Sequence, residues 1–97
     1  MRLRYTEPAL ADLDGILDYI TARSPQGARS VQARIQRAIG LLVDFPKIGT
    51  PTDVPAIRRL TTAPYPYLVF YEVAGDEIVI HAVRHGARDP GGMPGGG

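Results

Sequence analysis

Between Pro46 and Pro55 the spacing of apolar residues changes period, and no single-class fold accommodates that change. Before it, Leu10, Leu13, Ile16, Leu17 and Ile20, then Ala28, Val31, Ile35, Ala38, Ile39 and Leu42, recur at intervals of three and four. These are the stripes of two amphipathic helices. After it, residues 56–62 (AIRRLTT), 67–73 (YLVFYEV) and 77–85 (EIVIHAVRH) follow a period of two and are rich in β-branched and aromatic residues, as strands are. Arg2 to Thr6 (RLRYT) adds a first strand. Helices and strands segregated along the chain in this way predict an α+β domain of order β-α-α-β-β-β, with an antiparallel helix hairpin packed on a mostly antiparallel sheet.

The punctuation agrees with that order. Thr6 is placed to cap the first helix, with Glu7 and Pro8 in its first turn; Ser24 caps the second, with Pro25 at its first position. Phe45-Pro46 stops the second helix, because the residue before proline is pushed out of the helical region. Lys47 to Pro55 then reads as a loop, Ala74-Gly75-Asp76 as a tight hairpin, and Pro66 as a strand start. The 97 residues form one domain over 1–90, followed by a flexible Gly/Pro tail over 91–97 (GGMPGGG).

Composition narrows the chemistry. There is no cysteine, hence no disulfide framework and no thiolate metal site, which suits a cytoplasmic location. No apolar run approaches the ~20 residues of a membrane helix, so no membrane partner is expected. His81 and His85 stand four apart, but on a strand they would share a face ~13 Å apart, too far for one ion; no metal and no cofactor are expected. Asp14 and Asp18 read as a solvated helix face, and no serine lies in a nucleophile-elbow context.

Net charge is only +1, yet its distribution is uneven: residues 1–20 sum to −2, and residues 21–50 to +4. Arg34 and Arg37 on the second helix, with Arg59, Arg84 and Arg88 in the second half, are candidate contacts for an anionic target. Arg58 and Arg59 point to opposite faces of their strand. Should the first and last strands of the meander approach, arginines from both would converge, with His85 beside them to move a proton. The competing expectation is local pairing, Arg84 with Glu72 and Arg88 with Asp89.

Six segments in register carry a resemblance: A-x-x-D-L-x-x-I-x-x-Y-I (Ala9 to Ile20), P-x-x-A (Pro25 to Ala28), F-P-x-I-G (Phe45 to Gly49), I-R-R-L (Ile57 to Leu60), Y-L-V-F-Y-E-V (Tyr67 to Val73) and V-R-H-G-A-R-D (Val83 to Asp89). Together they resemble the RelE/ParE toxin superfamily of type II toxin–antitoxin pairs. That resemblance implies the β-α-α-β-β-β fold, a bacterial cytoplasmic protein and a cognate antitoxin. RelE-like members are ribosome-dependent mRNA endonucleases that use basic residues of the meander and a C-terminal aromatic or histidine. Here Thr61 stands where RelE carries an arginine, Arg88 matches the arginine after the last strand, and the later tyrosine has no counterpart. This pattern is closer to the ParE branch, whose members poison DNA gyrase by binding. The resemblance therefore implies a gyrase inhibitor neutralised by a ParD-like antitoxin, laid on an apolar groove with Tyr65 and Tyr67 as contact candidates. The alternative, a RelE-like nuclease acting on mRNA at the ribosome, requires Arg59, His85 and Arg88 to form one catalytic site.

Overall fold

A computed structural model describes residues 1–86; Arg88, the Arg88–Asp89 pairing and the Gly/Pro tail lie outside the described residues. The elements are β1 (Arg2–Tyr5), α1 (Glu7–Thr21), α2 (Pro25–Asp44), β2 (Thr50–Pro51), β3 (Ile57–Thr61), β4 (Tyr67–Ala74) and β5 (Glu77–His85). They form two helices packed on one five-stranded sheet of order β1-β5-β4-β3-β2, antiparallel except for the parallel pair β1–β5. The caps sit where the sequence puts them: Thr6 Oγ1 accepts from the Ala9 N–H at 3.2 Å and Ser24 Oγ from the Gly27 N–H at 3.0 Å. Gly75, with φ of 63°, takes the left-handed position of the β4–β5 turn that a side chain would strain.

Two features depart from the sequence expectation. Inside the segment read as a loop, Thr50 and Pro51 pair with Arg59 and Arg58 as a short outer strand. Proline is tolerated there because an edge strand has one side without ladder partners. The second departure is a bulge in β5. Phe70 pairs with Ala82 while its neighbour Tyr71 pairs with Ile80, so His81 is the extra residue. One inserted residue reverses the in/out alternation beyond it. His81 and His85, expected on one face, consequently lie on opposite faces.

The helix-facing side of the sheet carries Tyr67, Val69 and Tyr71 from β4 and Ile78, Ile80 and Val83 from β5. These join Val31, Ile35, Ile39 and Leu42 of α2 and Ala9 of α1 in one core. Each fully buried aliphatic or aromatic side chain contributes roughly 1.5–3 kcal/mol of transfer free energy. Opposite, the helix-free side carries Arg4, Arg59, Leu68, Phe70, Glu72, Glu77, Val79 and Ala82 by register, with Phe70, Val79 and Ala82 buried. Its ion pairs, Arg2–Asp76 at 3.6 Å and Arg4–Glu77 at 3.4 Å, are solvent-exposed and contribute little to stability. No helix among the described residues is long and apolar enough to cross a membrane.

Candidate functional site

Three of the sequence segments meet at one point behind α2. The Tyr71 hydroxyl, on the helix side of β4, accepts the Gly49 N–H at 2.9 Å and donates to the Pro46 carbonyl at 2.8 Å. Arg58, beside it on β3, donates through Nη1 to the carbonyls of Gly49 at 2.7 Å and Lys47 at 3.2 Å. The turn between α2 and β2 is thereby tied to the sheet by side chains reaching its backbone. Gly49 is buried there for a steric reason: a Cβ would stand 2.7 Å from Tyr71 Cε1 and Oη and 2.9 Å from the Arg59 carbonyl oxygen. Held in this way, the turn displays Phe45 and Ile48 to solvent, 57% and 47% exposed, next to Leu41 at 43%.

Burial pushes the Tyr71 hydroxyl above its ordinary pKa of 10.0, partly opposed by the Gly49 amide and the Arg58 guanidinium. The unfolded chain therefore ionises this tyrosine first. Stability present below pH ~10 is lost as pH rises through the alkaline range, and Tyr71→Phe removes that part of the loss. Urea midpoints compared between pH 8 and 11 should show a shallower alkaline decline for the variant; equal slopes would contradict a buried, neutral phenol.

A second apolar surface lies on the other flank of α2. Leu10, Leu13 and Leu17 of α1, Ile35 of α2 and Tyr5 of β1 line a groove of about 290 Å³, rimmed by Asp14, Gln32 and Gln36. Leu10 is 49% exposed at its mouth. Burial also raises the pKa of the Tyr5 hydroxyl.

The arginine and histidine candidates are not gathered into one site. Arg59 pairs with Phe70 and belongs to the helix-free face, exposed. His85 pairs with Tyr67 and stands edge-on to its ring on the helix face, centroids 5.4 Å apart. The first and last strands of the meander do not approach each other, because β4 runs between them. Arg84 pairs with Asp12 of α1, Nε to Oδ2 at 3.6 Å, rather than with Glu72. The same carboxylate accepts the Val83 N–H at 3.0 Å, satisfying the edge of β5 beyond the end of β1. Glu72 is engaged instead by His81, Oε1 to Nε2 at 2.8 Å, a pair that the bulge creates.

Arg34 donates through Nε to the Ala63 carbonyl at 2.8 Å, so it lies on the flank of α2 facing away from the groove. Arg37, one turn on, is exposed on that flank. Neither tyrosine proposed as an antitoxin contact protrudes: Tyr67 is buried and Tyr65 packs half-buried against the core. Strand alternation turns Tyr67 inward, whereas Leu10 stands exposed at the mouth of the groove. Among the described residues no group of three or more His, Asp or Glu could hold a metal ion.

Comparison with known proteins gives a consistent picture. Residues 3–90 match the family described as the ParE toxin of the type II toxin-antitoxin system, parDE. The chain is 37% identical over 84 residues to toxin RelE2 of Caulobacter vibrioides, covering 87% of this chain and 93% of that one. It is also 37% identical over 84 residues to Y4kP of Sinorhizobium fredii, a candidate toxin by name, covering 87% and 86%. A solved structure of the chromosomal ParDE toxin–antitoxin system from P. aeruginosa superposes with a TM-score of 0.78 at 32% identity, over 88% of this chain and 95% of that one.

Proposed function

The chain belongs to the ParE toxin family of type II toxin–antitoxin systems, and from that premise we propose that it binds and inhibits DNA gyrase in the bacterial cytoplasm. A ParD-like antitoxin holds it inactive. The observation that carries this reading over a nuclease is the separation of Arg59 from His85. They project from opposite faces of the sheet with β4 between them. General acid–base cleavage of RNA needs its groups within hydrogen-bond reach of one phosphate and one 2′-hydroxyl. A binding toxin has no such requirement, and its contacts can be spread over a surface.

The antitoxin is assigned to the α1–α2 groove. A partner helix lays an apolar face into such a groove through anchors spaced three and four apart. Leu10, Leu13 and Leu17 offer the matching ridge.

Pulse labelling after induction of this chain alone tests the reading. DNA synthesis should fall first, and Arg59→Ala and His85→Ala should each arrest growth within about threefold of the parent, as near-neutral interface positions do. Early loss of protein synthesis, with either variant inactive, would return the nuclease reading suggested by the name of the Caulobacter relative.

A further inference from the structure

The pinned turn behind α2 has more support than a connection needs, and what it holds up is apolar. Phe45 and Ile48 are exposed at its tip, and Leu41 continues the patch onto α2. From Leu41, Arg37 and Arg34 follow along the helix at intervals of four and three, on the flank away from the α1–α2 groove. Lys47 is exposed between Phe45 and Ile48. The surface thus joins three large apolar side chains to three cations, with Asp44 at its edge. Arg37 and Lys47 make no ion pair among the described residues.

We propose that this flank of α2 and the pinned turn form the surface by which the toxin grips its cellular target: a protein face with an apolar pocket bordered by carboxylates. The assignment rests on the reading of the chain as a target-binding toxin. Charge separates this surface from the groove, whose rim carries Asp14 and two glutamines and no cation. α2 stands between the two, so a toxin with two protein partners can offer each a different flank. Rigidity favours the turn as an anchor. Its backbone, tied at Pro46, Lys47 and Gly49 by the Tyr71 and Arg58 bonds, has less freedom to lose on docking, and aromatic side chains in desolvated pockets dominate interface energetics.

The experiment compares the parent chain with Phe45→Ser/Ile48→Ser, Arg37→Glu and, as a control, Arg2→Ala. The readouts are growth arrest on induction, thermal unfolding, and inhibition of supercoiling by purified gyrase holoenzyme. The double variant should unfold within about 4 °C of the parent, because both side chains are exposed. It should lose growth arrest and require ~10-fold or more toxin to inhibit gyrase, the scale for removing central interface anchors. Arg2→Ala, at the exposed β1 edge of the sheet opposite β2, should keep both activities. Should the double variant unfold early, Arg37→Glu, which removes no packing, decides by the same loss.

Growth arrest by the double variant equal to that of the parent overturns the surface. So does an equal loss in Arg2→Ala, which would show that the loss does not depend on this surface. Because growth arrest is blind to the identity of the target, a parent that arrests growth without touching gyrase overturns the gyrase reading alone. The same comparison of variants then still decides the surface. A parent that arrests nothing overturns both.

Discussion

Gly49→Ala should destabilise the protein by about 3 kcal/mol, lowering its melting temperature by more than ~10 °C. The added methyl would meet Tyr71 Cε1 and Oη at 2.7 Å and the Arg59 carbonyl oxygen at 2.9 Å. Neither neighbour yields cheaply: Tyr71 is fully buried in the core, and the Arg59 carbonyl is strand backbone. The turn must move outward, and in moving it surrenders the hydroxyl's bonds to Gly49 and Pro46.

Tyr71→Phe should cost ~1–3 kcal/mol on its own, since it leaves the buried Gly49 N–H without its acceptor. The two substitutions act on one contact, so the double variant should lose less than the two single losses added together. Full additivity in urea unfolding would mean that the hydroxyl does not pin the turn.

Leu10→Glu should leave the fold intact and weaken the antitoxin complex by ~30-fold or more, the loss expected when a charge is desolvated in an apolar groove. Leu10 is half exposed in the free chain, so glutamate there stays hydrated until a partner covers it. The penalty thus appears only on binding. In cells, co-expressed antitoxin should protect against the parent chain and fail against Leu10→Glu. Isothermal titration of the purified pair should show the loss directly, and undiminished affinity would place the antitoxin elsewhere.

How much was legible beforehand differs by level. Helix boundaries were local matters: Thr6 and Ser24 cap, Pro46 stops, and each acts through its own few neighbours. Arg58 and Arg59 were readable as pointing apart, because strand alternation needs no tertiary information. Where a residue went depended on pairing, and there the sequence expectation failed. One bulged residue put His81 and His85 on opposite faces, brought His81 to Glu72, and left Arg84 to Asp12 of a helix some seventy residues earlier. Tyr67, an antitoxin-contact candidate from the family resemblance, faces the helices opposite His85 and lies in the core.

The F-P-x-I-G segment shows the division most clearly. Its composition announced a helix stop and a turn, and nothing local explains why its last residue must lack a side chain. The reason is a tyrosine 22 residues further on, brought against Gly49 because β4 lies inside the sheet and under α2. By itself the sequence determined the two helices, four of the five strands, their order and the family, since these depend on local periodicity, capping and matched motifs. Register, the bulge and the separation of Arg59 from His85 were decided by tertiary structure alone. They depend on which strand lies beside which, and a strand's own side chains do not encode its neighbour.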